Sequence, residues 1–294
     1  MLGPEDAKAL LRQVSKVRLA TRRLSTGLIS GEYRSAFRGQ GMEFDQVREY
    51  VPGDEPRQLD WNVTARFGHP FVKSFVEERS LTLLLLVDCS SSTYFGSGLV
   101  KKRELMAQLA AVLALNAVQA HDRVGLLLYG PEVIKYLPPK SGMHQALRLV
   151  RDLLQAPAAP GSNLQNALEQ AQRWIQGHAV MLVLSDFLDL NPSQPLRLAS
   201  HRHDLLAMEV LDPFELNPFN QGLLQFKDLE TGEPCLVDTD YRPWQQAYTQ
   251  AWDQRQSQLR HFFGKYDFDH LRLLAGQPYE EALRRFFRRR SRRR

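Results

Sequence analysis

The chain has 294 residues, 43% of them hydrophobic, a formal net charge of +5 and two cysteines. That length holds one large or two medium domains with a proper core, and Cys89 and Cys235 are too few for a disulfide framework or a cysteine zinc site, which fits a reducing compartment. Eight positive charges sit in Arg284–Arg294, so the rest of the chain is slightly acidic and a broadly basic nucleic-acid-binding body is excluded.

Taken in order, Pro4 to Val17 reads as a short helix, with Ala7, Leu10, Leu11 and Val14 on one side. Leu19 to Tyr33 holds Gly27 and Gly31 and predicts turns and short extended pieces rather than a core helix. The next segment, Arg34 to Arg66, alternates acids and bases around turn residues such as Pro52-Gly53-Asp54. Arg48, Asp54, Arg57 and Arg66 are its candidate partner-binding residues, because guanidinium groups present planar donors to carboxylates or phosphates. The competing reading is an internal lattice of ion pairs, with Trp61 as its apolar anchor, and the balance of charges favours it. Phe71 to Glu77 then alternates as a strand.

Leu81 to Val87 is an apolar run, broken only by Thr82, of the kind buried on both faces in a parallel sheet. It ends in Asp88-Cys89-Ser90-Ser91-Ser92-Thr93. A Gly-rich connection over Tyr94 to Gly98 leads to a helix over Lys101 to Ala120, and Arg123 to Tyr129 is a second buried strand. Glu132 to Leu137 returns antiparallel at an edge. Helices follow over Met143 to Leu154 and Leu164 to Gln176, then a strand over Ala179 to Leu184 ending in Ser185-Asp186-Phe187, a helix near Pro192 to Ser200 and a strand over Asp204 to Leu211. This alternation predicts an α/β fold with a doubly wound, mostly parallel sheet. In that order the strands ending at Asp88 and Asp186 become neighbours at the switch point, where ligands gather. Beyond them lie a hairpin over Leu223 to Asp228 and Pro234 to Asp238, a long helix over Tyr241 to Phe263 and a strand over Phe268 to Leu274. A last helical pattern through Tyr279 to Leu283 docks through Phe286 and Phe287 and leaves the final arginines solvated.

The chemistry concentrates after the first buried strand. Asp88 offers a carboxylate and Ser90 and Ser92 offer hydroxyls at alternate positions, an all-oxygen set suited to a hard divalent cation such as Mg²⁺, with Mn²⁺ or Ca²⁺ as alternatives. A loop that merely caps the next helix has the same composition. The loop from Pro157 to Asn163 brings another hydroxyl, Ser162, and the strand ending at Asp186 brings another carboxylate. Cys89 is read as a small core-facing side chain, because sulfur is a poor ligand for Mg²⁺. His201 and His203 form a His-x-His pair without a third ligand and are expected to be partly exposed loop residues.

Asp88, Ser90 and Ser92, then Ser162 in Gly161-Ser162-Asn163-Leu164, then Asp186, resemble the metal-ion-dependent adhesion site of von Willebrand factor A domains. In that family the middle residue is usually Thr; Ser162 keeps the oxygen and lacks the methyl that fixes a rotamer. The segment from Arg38-Gly39-Gln40-Gly41 through Tyr50-Val51-Pro52-Gly53-Asp54 and Asp60-Trp61 to Arg66 resembles the signature of the bacterial domain of unknown function 58 family. That resemblance implies an A-like domain over 79–275 with a hairpin insertion at 213–240, an N-terminal extension over 1–78 and a C-terminal helix with an Arg-rich tail over 276–294. It also implies a non-catalytic docking module whose metal ligands are Asp88, Ser90, Ser92 and Ser162, with Asp186 holding a water. The implied partners are a MoxR-type AAA+ ATPase and other A-like proteins of the same system.

Two other classes stay open. A phosphohydrolase or phosphotransferase would use Asp88 as nucleophile beside Mg²⁺, although the familiar design has a second Asp where Ser90 stands. The Arg-rich tail is either a solvated basic tail or a contact for an acidic partner, a membrane surface or RNA. Nucleic acid is not the expected partner. No apolar run approaches the ~20 residues of a membrane helix, and the N-terminus lacks the apolar core of a signal peptide, so a cytoplasmic location is expected.

Overall fold

The computed structural model describes residues 33, 36, 43–51, 59–76, 80–188, 201–229 and 232–292. The chain divides into a smaller unit, Phe37–Leu81, and a larger one that joins Met1–Ala36 to Thr82–Arg294. The helices expected over Pro4 to Val17 and near Pro192 to Ser200 lie outside the described residues, as do Asp54, Arg57 and the side chain of Arg48. Of Leu19 to Tyr33 only Tyr33 is described, and it is helical and buried rather than part of a turn.

The smaller unit holds more regular structure than its turn-rich composition announces. Strand β1 (Glu43–Glu49) pairs antiparallel with β2 (Phe71–Val76), with a register shift between Phe44 and Gln46. Between them helix α1 (Trp61–Phe67) begins at Asp60, whose carboxylate accepts from the amides of Asn62 and Val63, and stops at Gly68 with φ 77°. Trp61 does not anchor this unit. It is 70% exposed on the first turn of α1, whereas Val72 is buried and Phe71 lies against the rings of Phe67 and His69. Arg66 is exposed in the last turn of α1.

In the larger unit β3 (Thr82–Asp88) runs into helix α2 (Lys102–Gln119), and β4 (Arg123–Tyr129) into β5 (Val133–Lys140). Helices α3 (Met143–Leu154) and α4 (Leu164–Trp174) precede β6 (Val180–Ser185), and β7 (Asp204–Leu211) leads into the single-turn helix α5 (Pro213–Leu216). The hairpin β8 (Leu223–Lys227) and β9 (Pro234–Asp238), helix α6 (Arg242–Lys265), β10 (Asp269–Leu274) and helix α7 (Glu280–Ser291) complete the chain. The central sheet has the order β10-β7-β6-β3-β4-β5 and is parallel except for β5 at its edge. This is the expected doubly wound sheet. The chain leaves β3 towards β4 and later returns to its other side at β6, so the switch point lies between β3 and β6.

Burial explains the composition. Leu83 to Val87 have no exposed surface, which is why β3 shows no alternation of polar and apolar residues. Helix α2 is buried nearly all round, and its alanines let it approach both the sheet and α3. Edge strand β5 carries Pro138 and Pro139, which remove backbone donors where another strand would add. Gly125 in β4 lets β5 come close, since a Cβ there would lie 2.9 Å from the Leu137 carbonyl oxygen.

Two expectations about polar groups need correction. Phe286 and Phe287 dock as expected, but the arginine run stays helical to Ser291 and Arg290 is buried, paired with Asp204 and Asp269 at the starts of β7 and β10. His203 is buried rather than loop-exposed, and among the described residues neither ring nitrogen has a hydrogen-bond partner; burial, then the nearby charges of Arg202 and His178, hold its pKa at about 4. Among the described residues, no helix is long and apolar enough to cross a membrane.

Candidate functional site

Strand β3 ends between the ends of β4 and β6, and the register sets what meets there. Val87 lies opposite Leu184, so Asp88 and Ser185 stand side by side, while Asp88 faces Tyr129 on the other flank. Asp88 is 1% exposed and accepts three hydrogen bonds. Its Oδ1 takes the Ser90 amide at 2.8 Å, folding the loop back on itself; its Oδ2 takes Ser162 Oγ at 2.8 Å and Ser185 Oγ at 2.7 Å. Ser90 Oγ and Ser92 Oγ lie 3.1 Å apart in the 3₁₀ turn that follows. Three loops thus place hydroxyls about one carboxylate.

The second loop is stitched to the first by backbone bonds rather than by packing. Ala159 donates to the Cys89 carbonyl at 2.8 Å and accepts from the Ser91 amide at 2.8 Å, and Tyr94 Oη donates to the Ala156 carbonyl at 2.6 Å. Gly130 makes this possible, because a Cβ at that position would sit 2.4 Å from the Ala159 Cβ. Asn163 then caps α4 by accepting from the Asn166 amide, which fixes Ser162 one residue earlier. Cys89 is buried against Arg103, as its reading as a core side chain requires.

Asp186 belongs to the same crevice but is held differently. Its Oδ2 accepts from Lys102 Nζ at 2.8 Å, and the same ammonium donates to Glu215 at 2.6 Å. Lys102 has no exposed surface. Burial works to lower its pKa; Asp186 and then Glu215 outweigh that and raise it above the usual lysine value. Phe187, next to Asp186, adopts φ 53°, costly for a bulky residue, and is fixed by its amide on Ser185 Oγ and its ring edge-on to Phe263.

The electrostatics follow from this geometry. Burial, then the neighbouring charge of Asp186, pushes the Asp88 carboxyl up to about 6, while the Ser90 amide and the Ser185 hydroxyl oppose the shift. The donor set is one carboxylate and several hydroxyls, all hard oxygens, which fits Mg²⁺ or Mn²⁺ and not a soft metal. Among the described residues no cluster of three or more His, Cys, Asp or Glu offers a competing centre.

Of the residues expected from sequence, Asp88, Ser90, Ser92 and Ser162 come together, and Asp186 reaches the same crevice through its pairing with Lys102. Sequence reading missed Ser185, Lys102 and Glu215. Ser185 had a usable signal, its place beside Asp186 at the end of a strand aligned with β3; Lys102 and Glu215 had none beyond a lysine at a helix start.

Comparison with known proteins gives the chain its family. The model described as "Protein of unknown function DUF58" matches residues 46–258. The chain belongs to the DUF58 family. Uncharacterized protein Rv1480 of Mycobacterium tuberculosis is 32% identical over 247 residues, covering 80% of this DUF58 chain and 78% of the relative. An uncharacterized protein of Mycobacterium avium, MAV169, is 33% identical over 100 residues, covering 33% and 59%. Among solved structures, BatB from Bacteroides thetaiotaomicron aligns with TM-score 0.47 at 11% identity over 72% of this chain and 99% of its own. An aerotolerance-related membrane protein from Bacteroides fragilis aligns with TM-score 0.49 at 12% identity over 73% and 100%. The SpRpn10 von Willebrand factor A domain aligns with TM-score 0.35 at 14% identity over 45% and 76%.

Proposed function

We propose that this DUF58 protein is a non-catalytic docking module that captures a partner's Asp or Glu through a divalent cation at Asp88. The observation that carries the reading is the convergence of Ser90, Ser162 and Ser185 on a single buried carboxylate at the switch point of the sheet. Asp88, Ser90, Ser92 and Ser162 would hold Mg²⁺, and Asp186 would act through a water. The bound cation supplies an under-neutralised charge that an incoming carboxylate completes. Within the chain, Ser185 and the Ser90 amide orient Asp88, while Ser92 and Ser162 are only half-buried.

The resemblance to A-like proteins names a MoxR-type AAA+ ATPase as the partner class. A phosphotransferase reading asks Asp88 to attack phosphorus. In this chain Ser90 stands where that design places its second Asp. RNA capture by a loose arginine tail would have to do without Arg290, which is paired inside the fold.

The test is capture of a purified MoxR-type ATPase by the intact chain in Mg²⁺ and in EDTA, alongside Asp88→Ala. Capture that needs both Mg²⁺ and Asp88 supports docking. Capture unchanged in EDTA rejects the metal; Mg²⁺- and Asp88-dependent phosphate release from small phosphoesters would favour catalysis.

A further inference from the structure

The feature that the docking reading leaves unexplained is Lys102. It opens helix α2, where the aligned peptide dipoles disfavour a cation, so helix formation does not account for it. Its ammonium is fully buried, a costly placement, and it is held by two carboxylates from separate elements: Asp186 after β6 and Glu215 in α5. Phe95 covers it at 5.8 Å and touches Phe214, which touches Phe226 of the hairpin, so the lysine is walled in on that flank by rings. Ser97 adds a tie to Asp212, the cap of α5.

We infer that Lys102 sets the cation affinity of the Asp88 crevice: by occupying Asp186, it leaves Asp88 as the one uncompensated carboxylate, so a divalent ion binds weakly until a partner's carboxylate joins it. This rests on the docking reading. Two free carboxylates in the crevice would neutralise the ion and blunt its attraction for an outside acid. One carboxylate keeps the ion positive. The lysine therefore trades affinity for the bare ion against affinity for the partner's acid, and it is a positioning residue that acts through Asp186.

The experiment is isothermal titration of Mn²⁺ into the full chain and its variants, each shown to be folded by its melting curve in EDTA. Lys102→Met alone strands the buried Asp186 and the partly buried Glu215 and risks unfolding, so the decisive variant is Lys102→Met with Glu215→Gln, which removes one charge of each sign. The double variant is expected to bind Mn²⁺ about tenfold tighter or more than the native chain. Adding Asp88→Ala is expected to abolish that binding, and Glu215→Gln alone is expected to bind no tighter than the native chain. Equal, Asp88-dependent affinity in the native chain and the double variant would overturn the role of Lys102 and leave the docking reading standing. The same holds if Glu215→Gln alone reproduces the gain. Mn²⁺ binding that is absent throughout, or indifferent to Asp88, would overturn both.

Discussion

Ser185 Oγ donates to Asp88 Oδ2 at 2.7 Å across 97 residues of sequence. The contact exists because β6 returns beside β3 in parallel register, which puts the last residue of each strand at the same height. It makes Asp88 a carboxylate held by the sheet itself, and the first prediction concerns its charge. Burial is what raises the Asp88 pKa to about 6. Asp88→Asn is therefore expected to match or exceed the native chain in urea midpoint at neutral pH in EDTA, while losing Mn²⁺ binding. A strongly destabilised Asp88→Asn would show that the charge, not the ion, is what the crevice was built around.

Gly130→Ala tests the stitching of the two loops. The new Cβ would meet Ala159 at 2.4 Å, so the Ala156–Gly161 stretch must move and carry Ser162 with it. We expect a loss of about 1–3 kcal/mol in unfolding free energy together with weakened Mn²⁺ binding. Weakened stability with unchanged Mn²⁺ affinity would remove Ser162 from the ligand set.

A second buried acid gives a pH prediction. Burial would raise the Glu209 pKa, but hydrogen bonds from His270 and Arg272, the Arg272 charge and Gln256 outweigh it and hold the carboxyl at about 2. An acid whose pKa is lowered on folding stabilises the fold above its unfolded value of 4.5 and loses that contribution as pH falls towards 2. Glu209→Gln is expected to cost on the order of 3 kcal/mol at neutral pH and to flatten the stability profile in that window. Urea midpoints taken down the pH scale check both.

His203 predicts a separate window. Folding lowers its pKa from 6.5 to about 4, so its neutral form stabilises the fold above 6.5 and the contribution fades as pH falls to about 4. His203→Leu is expected to remove this part of the acid loss and leave the Glu209 part in place. Thermal midpoints of the variant that still drop between pH 6.5 and 4 as in the native chain would contradict it.

The sheet was legible because its strands are continuous apolar runs between turn signals: Arg123 to Tyr129 and Asp204 to Leu211 come out residue for residue. That Asp88, Ser90, Ser92 and Ser162 lie close together was legible too, from the polar burst after the first buried strand and the Gly-Ser-Asn turn that opens a helix. What stayed hidden depends on partners distant in sequence. Lys102 meets Asp186 across 84 residues and Glu215 across 113, a pairing that leaves no local pattern. Arg290 reads as one more solvated arginine in a basic run, and only the fold supplies Asp204 and Asp269 beneath it. Trp61 misled in the opposite direction: a large aromatic in a charged segment reads as an anchor, yet it stands exposed on the first turn of a helix.

The central claim is that the loops at Asp88, Ser162 and Asp186 form a divalent-cation site, and the most direct test is an anomalous difference map from crystals of the full chain soaked in Mn²⁺. The account expects a peak within ligand distance of Asp88 and the Ser90 and Ser92 hydroxyls, lost in Asp88→Ala. A map with no density there, with Asp88 still bound to Ser162 and Ser185 at saturating Mn²⁺, would contradict it.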